Sequence, residues 1–375
     1  MLLHLDISSC VRAASRFSDC TKCIDACPES IQLTDNLPSF ANHTGVEAAA
    51  CVGACPTEAF SLSDFSLTEF FFSFLDSKIR LISPKFNVPC LSVLSVEHLI
   101  SLALASDEEI TLDLSAYDAT SILYEQIESR IEEANFVLSS FSQKQLITNT
   151  YDNVSTENND VSDEEISSRR SFLGNLSLRG MVKQKMSFDE AVEADALKIF
   201  TLDREMIVKM REKNLPDKRK LLMTTLKHAG VPDQFEVLDE ADVGFVSQKF
   251  IDESCTNCQI CYRICPTGAL SSDGKFSLIH FDAMLCVKCR LCHDVCEPDA
   301  IQLQAGFEIK EFFEPKQRTL AKFDIKRCNE CGNNFTYTGG EQICPRCMIE
   351  EEEAMFLHNN AKNMQDFLED KKEEG

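Results

Sequence analysis

Eight cysteines in the C-terminal half stand at Cys255-x2-Cys258-x2-Cys261-x3-Cys265-Pro266 and Cys286-x2-Cys289-x2-Cys292-x3-Cys296. Three thiolates within seven residues can bend round one iron–sulfur cubane, because so short a loop stays tight and turns its amides towards the cluster. The fourth cysteine of each run opens a helical turn that carries its sulfur towards a neighbouring cluster. Such runs arise by chance very rarely, and two of them twenty residues apart almost never. The spacing disfavours a disulfide framework or paired zinc sites. Further on, Cys328-x2-Cys331 and Cys344-x2-Cys347 form two knuckles twelve residues apart. Such knuckles bring four thiolates into a tetrahedron, suited to structural zinc or to a single rubredoxin-type iron. Gly332, Gly339 and Gly340 permit the turns, and the linking residues read as a plain zinc ribbon, which favours zinc.

Residues 250–303 resemble bacterial-type 2(4Fe–4S) ferredoxins, through both cysteine runs, Cys265-Pro266-Thr267-Gly268-Ala269-Leu270 and the Pro298-Asp299-Ala300-Ile301 after the last cysteine. The resemblance implies two 4Fe–4S clusters with crossed ligands: Cys255, Cys258, Cys261 and Cys296 for one, Cys286, Cys289, Cys292 and Cys265 for the other. Glu297 departs from the pattern, which has proline after the fourth cysteine; the ligand survives, while local hydrogen bonding and potential are affected.

Residues 1–60 resemble the same family in a worn form. Cys20-x2-Cys23-x3-Cys27-Pro28 is followed by Cys51-x3-Cys55-Pro56-Thr57-Glu58-Ala59-Phe60, and Phe17, Gly45 and Ala48 stand at ligand positions. On this alignment one cluster can be assembled from Cys20, Cys23, a crossing Cys55 and Cys10, the upstream candidate for the place of Phe17. The crossed partner keeps Cys27 and Cys51, too few for a cluster. One 4Fe–4S cluster is therefore expected here; the alternatives are a different four of the six cysteines, or none. The whole layout resembles a multi-cluster ferredoxin of anaerobic or microaerobic respiratory systems, such as those working beside molybdenum-dependent formate dehydrogenases, although no residue reports that partner.

Of the 19 cysteines only Cys90 lies outside a cluster, and it reads as a buried or loop thiol. This is metal usage in a reducing compartment, so the expected location is cytoplasmic. The start of the chain, Met1 to Cys10, has no basic region ahead of a long apolar stretch, which argues against a signal peptide. No uncharged apolar run reaches about 18 residues, so no membrane span is expected. Ser168-Arg169-Arg170-Ser171-Phe172-Leu173 imitates a twin-arginine signal, but it lies mid-chain and precedes Arg179, Lys183 and Lys185, so it reads as internal. The formal charge of −24 disfavours nucleic-acid binding. It fits a redox carrier steered onto a basic partner, although solubility alone accounts for it equally.

Around the cysteines the elements suggest an α+β multidomain chain: ferredoxin-like 4Fe–4S domains flank a small α/β layer and a helical connector, with a C-terminal zinc ribbon. The boundaries expected are 1–62 for the worn ferredoxin-like domain and 66–150 for the α/β domain. In the latter, strands at Lys78–Ile82 and Ile110–Leu114 alternate with helices at Val93–Ala105 and Ser121–Phe141, which points to a parallel sheet. Residues 145–168 lack Lys and Arg, and an acidic flexible linker is set at 151–170. A basic and helical connector spans 171–245, broken near Asn214-Leu215-Pro216 and with a helix ended by Gly230. The two-cluster domain occupies 246–308, the zinc ribbon 320–349 and an acidic helical tail 350–375. On that tail Leu357, Ala361, Met364 and Leu368 share one helical face.

Clusters of this kind pass single electrons, so the chain reads as an electron-transfer protein rather than a catalyst. No GxGxxG or GxxxxGK[ST] stretch supplies a nucleotide or flavin site. His293 reads as a surface or supporting residue and His98 as core. The partner expected is a redox protein, docking through the acidic surface or the basic 169–185 segment. The alternative is an accessory protein that binds and helps mature a redox enzyme, with clusters and ribbon as recognition modules.

Overall fold

The computed structural model describes residues 3–40, 49–149 and 213–373, with side chains up to residue 361. The 151–170 linker, the 169–185 basic segment, Gly45, Ala48 and the side chains of Met364 and Leu368 lie outside it. The described chain mixes helix and sheet throughout.

The N-terminal segment runs β1 (Leu3–Leu5), α1 (Val11–Ala14), α2 (Lys22–Ala26), β2 (Ile31–Thr34), β3 (Leu37–Phe40), α3 (Ala50–Ala54) and β4 (Phe60–Leu62). β1 pairs antiparallel with β4, and β2 with β3. Asp35 and Asn36, both at positive φ, make the tight β2–β3 turn that such residues favour. The α/β layer follows as α4 (Leu67–Asp76), β5 (Leu81–Ile82), α5 (Val96–Ala105), β6 (Ile110–Asp113), α6 (Ile122–Ser139) and β7 (Leu146–Asn149). Its three strands are parallel in the order β5-β6-β7. The third strand, Leu146–Asn149, is one that the sequence pattern did not single out. The first strand is only two residues long, and residues 91–93 form a separate 3-10 turn ahead of α5.

α5 carries the architecture. Every residue from Val96 to Ala103 is buried, so the helix is enclosed on all sides. It packs on α4, on α6 and on α7 (Asp217–His228), which begins the second described half. Ser95 caps α5: its hydroxyl accepts from the His98 N–H at 3.3 Å, while His98 Nδ1 accepts from the Ser95 N–H at 3.3 Å, a reciprocal capping box with histidine in the place of glutamate.

Beyond α7 come β8 (Val237–Asp239), β9 (Lys249–Ile251), α8 (Ile260–Ile264), β10 (Leu270–Ser272), β11 (Leu278–Phe281), α9 (Leu291–Asp294), β12 (Ile301–Leu303) and β13 (Gly306–Glu308). β9 pairs with β12 and β10 with β11, all antiparallel. This repeats the N-terminal arrangement, in which the outer strands pair and an inner hairpin links two short helices. β13 returns to pair with β8, so residues 237–239 join this unit through the sheet. After α10 (Lys310–Phe313), β14 (Arg318–Lys322) adds to the edge of β11, which ties residues 318–322 to the same sheet. The last elements are the hairpin β15 (Ile325–Arg327) and β16 (Asn334–Thr336) and a helix, α11 (Pro345–Glu373). α11 starts inside the second knuckle, so knuckle and tail are one continuous element. Leu357 is 67% exposed, and the tail's apolar face covers nothing there.

Candidate metal centres

The backbone of the two C-terminal runs coils identically. Asn257 and Lys288 precede the second cysteine of each run and Gln259 and Arg290 follow it, and all four have positive φ, between 47° and 71°. None is glycine, so each run holds two left-handed, strained residues, and loops of that kind turn their N–H groups to one side. The residue three places after the crossing cysteine is left-handed as well: Gly268 after Cys265, Asp299 after Cys296 and, in the N-terminal segment, Glu58 after Cys55. Cys55 and Cys265 share another detail, a threonine hydroxyl two residues on at 3.7 Å and 3.8 Å from the sulfur.

Cys255, Cys258, Cys261 and Cys296 line one cavity, with Ile279, Pro298 and Ile301 closing its apolar side. Burial pushes the Cys261 thiol up to about 12, with the charges of Cys292, Cys258 and Cys255 adding to the effect. Cys255 is raised by burial and by Cys296 and Cys258. The second group interlocks the same way: burial pushes Cys292 up to about 12, and Cys286 and Cys265 raise it further. Cys289 is driven well above its ordinary range by burial, then by Cys286, Cys292 and Cys265. In the N-terminal segment, burial lifts Cys23 to about 12, helped by Cys55, Cys20 and Cys10 in that order. Cys10 and Cys20 are likewise raised by burial and by Cys55. Cys10, Cys20, Cys23, Cys255, Cys261, Cys289 and Cys292 are thus raised by burial and by the charges of neighbouring cysteines. A cationic cluster inverts that preference and holds all four cysteines of a group as thiolates, so the donor sets fit 4Fe–4S centres.

Cys27 and Cys51 pair separately. Their thiols are hydrogen-bonded, which lowers Cys27 and raises Cys51. Cys90 is buried, with its sulfur 2.9 Å from Ser92 Oγ and accepting from the Tyr117 hydroxyl at 3.3 Å.

The knuckle cysteines Cys328, Cys331, Cys344 and Cys347 have all four sulfurs within 4.8 Å of one another. Cys331 and Cys344 sulfurs are 3.7 Å apart; a tetrahedron of Zn–S bonds of about 2.3 Å has edges of about 3.8 Å. The Cys344 N–H donates to Cys328 Sγ at 3.2 Å. Burial opposes ionisation of Cys328, but N–H donors from Cys331, Cys344 and Glu330 outweigh it and pull the thiol down to about 6. This donor set fits a tetrahedral metal.

Cationic side chains that the sequence did not single out reach the backbone of three cysteines. Lys218 Nζ donates to the Cys55 carbonyl at 2.6 Å, and Arg219 Nη1 to the Cys286 and Met284 carbonyls at 2.9 Å each. Lys213 Nζ donates to the Cys265 carbonyl at 2.5 Å. Glu58 in turn accepts from the first N–H groups of α7, those of Asp217 at 2.6 Å and Lys218 at 3.1 Å. In sequence, Asp217-Lys218-Arg219-Lys220 looks like a solvated charged turn; only the three-dimensional contact reveals its use. His293 sits half-buried with its Nε2 2.8 Å from Lys249 Nζ, and His98 is core.

Residues 249–271 match the 4Fe-4S binding domain family. That segment contains the whole first cysteine run. No curated protein matches the chain. No described helix is long and apolar enough to cross a membrane. A 4Fe–4S binding domain among several cysteine clusters points to iron–sulfur electron transfer.

Proposed function

We propose that the chain is a non-catalytic electron carrier, or an electron-transfer subunit, with three 4Fe–4S clusters and one structural zinc. The ligands are Cys255, Cys258, Cys261 and Cys296; Cys286, Cys289, Cys292 and Cys265; and Cys10, Cys20, Cys23 and Cys55. Zinc takes Cys328, Cys331, Cys344 and Cys347. When bound, such clusters accept and release single electrons. The observation that carries the reading is the junction at α7: two consecutive residues, Lys218 and Arg219, hold the backbone of Cys55 and Cys286. An N-terminal and a C-terminal centre are thereby brought close, as conduction requires and as independent recognition modules do not.

The partner is a redox protein reached from the acidic surface or from the 169–185 segment, in a reducing, cytoplasmic setting. Neither the fold nor the comparisons point to a formate dehydrogenase. Anaerobically purified protein should contain about 12 iron and about one zinc. It should be reversibly reduced at low potential, with all three centres filled. About eight iron would remove the N-terminal cluster. Tight binding to a metal-free redox enzyme, indifferent to reduction, would favour the accessory reading instead.

A further inference from the structure

The thiols of Cys27, which ends α2, and Cys51, in α3, are hydrogen-bonded to each other inside the protein, 4% and 0% exposed. Cys23 and Cys55 are electrostatic neighbours of Cys51, so the pair adjoins the N-terminal cysteine set. The Arg130 guanidinium acts on both sulfurs. It is fixed by the carbonyls of Ser92 at 2.5 Å, Leu94 at 3.3 Å and Ala50 at 3.3 Å. Gly53 lets it approach, since a Cβ there would collide with the guanidinium and with the Ser92 carbonyl. A cavity of about 270 Å³ is bordered by Ala26, the chain neighbour of Cys27, by Gly53, two residues from Cys51, and by Gln126, Arg130, Glu133 and Lys218; neither sulfur lines it.

We infer that Cys27 and Cys51 form a reversible dithiol–disulfide couple that exchanges electrons with the N-terminal iron–sulfur centre. This rests on the reading of Cys10, Cys20, Cys23 and Cys55 as that centre's ligands. On oxidation one S–S bond forms between the two sulfurs and two S–H bonds break. Two protons are released to solvent, and two electrons pass singly to oxidised iron–sulfur centres, which take one each. Reduction reverses every term: two reduced centres supply the electrons, and two protons return. Exchange with outside thiols requires a thiolate to reach a sulfur, and burial blocks it. Electron transfer is the route left open. The couple turns a chain of one-electron centres into a two-electron store.

The test poises anaerobic protein at a series of potentials with one-electron dyes, quenches it in acid, alkylates it and maps the peptides by mass spectrometry. A Cys27–Cys51 cross-linked peptide pair at high potential, replaced by two alkylated cysteines at low potential, is expected. Reductive titration of oxidised wild type should consume about five electrons per molecule, against about three for Cys27→Ser and for Cys51→Ser, all with about 12 iron. Alkylated Cys27 and Cys51 at every potential would overturn the inference. So would loss of about four iron in Cys27→Ser, which would make that cysteine a ligand. Failure of the underlying cluster reading looks different: wild type with about eight iron, and no further loss in Cys10→Ser.

Discussion

Arg219 and Glu97 meet out of contact with solvent, with Nε 2.6 Å from Oε1 and side-chain exposures of 0% and 2%. The guanidinium spends its other donors on the carbonyls of Met284, Cys286 and Phe245, while Lys218 Nζ lies 3.4 Å from the second Glu97 oxygen. Burial alone would raise the Glu97 carboxyl, but the charges of Arg219 and Lys218 outweigh it and hold Glu97 below its ordinary range. Four parts of the chain thus share one ionic knot: α5, α7, the segment at Phe245 and the loop that begins the second cysteine run.

Removing Arg219 strips the buried Glu97 carboxylate of its closest partner and leaves it only Lys218, at 3.4 Å. Arg219→Met should therefore cost about 3–5 kcal/mol in denaturant unfolding. Arg219→Met with Glu97→Leu should cost less than the sum of the single changes, because no lone carboxylate remains. A loss within about 0.5 kcal/mol for Arg219→Met would mean that the pair is dispensable.

His98 makes stability depend on pH. Burial, with the Lys218 charge added, holds its imidazole down to about 4 from 6.5, while Glu97 and Asp217 pull the other way. An unfolded chain binds this proton near 6.5 and the folded chain only near 4. Between those values the unfolded state carries more protons, so stability falls as pH falls from 6.5 to 4. About 2 kcal/mol should be lost by pH 5 relative to pH 7. His98→Gln should flatten that part of the curve, measured as unfolding free energy against pH for both proteins. An unchanged slope would exclude His98 as its source.

The cysteine runs were legible because ligand spacing is local: Cys255 to Cys265 encodes its own coil, left-handed residues included. The parallel pairing of β5 with β6 was legible too, since alternating strands and helices admit few topologies, whereas β7 was not among the expected strands. Strand ends were not legible. Arg318–Lys322 reads as the approach to the ribbon, yet it pairs with β11, and only a partner strand decides that. The ionic knot was illegible for the same reason. Lys218 and Arg219 look like a solvated helix start, and Glu97 lies far away in the chain on an otherwise apolar stretch. The Cys27–Cys51 contact follows the worn crossed-ligand pattern, whereas Arg130 reaches it only through packing of α6 on residues 50–94.

Crossed ligation has a spectroscopic consequence. Cys265→Ser should alter the EPR signal of the centre held by Cys286, Cys289 and Cys292, and Cys296→Ser that of the centre held by Cys255, Cys258 and Cys261. A serine oxygen in place of a thiolate changes the ligand field without removing the other three ligands. A Cys265→Ser change confined to the centre of Cys255, Cys258 and Cys261 would sink the crossed assignment.

Steering should reveal which surface docks. With a net charge of −24, encounter with a basic partner slows as salt rises through physiological strength. Reversing Arg169, Arg170, Lys183 and Lys185 together should then leave the transfer rate unchanged or slightly raise it. Collapse of transfer with iron content intact would place docking on the basic segment. A rate indifferent to salt would count against both surfaces.

The knuckle gives the last test. Protons compete with metal for thiolates, so occupancy should fall as pH falls, and Cys328, pulled down to about 6, should keep its anion to lower pH than an ordinary thiol. Its donors explain why: the Cys344 N–H points at its sulfur, and its own N–H is taken by the Asn333 carbonyl at 2.8 Å, which fixes the turn. Cys331→Ser should abolish binding of about one zinc while about 12 iron remain, because the four knuckle thiolates are distinct from the iron–sulfur cysteines, and the β16 hairpin touches the first run through the Asn257 amide donating to Thr336 Oγ1 at 3.0 Å. A zinc-selective chelator should do the same to the wild type and melt the start of α11, since Cys344 and Cys347 anchor that helix; amide exchange at Arg346 to Glu350 reports it. Retained protection there after zinc removal would make the metal dispensable for folding. About one additional iron in place of zinc would make the site rubredoxin-like.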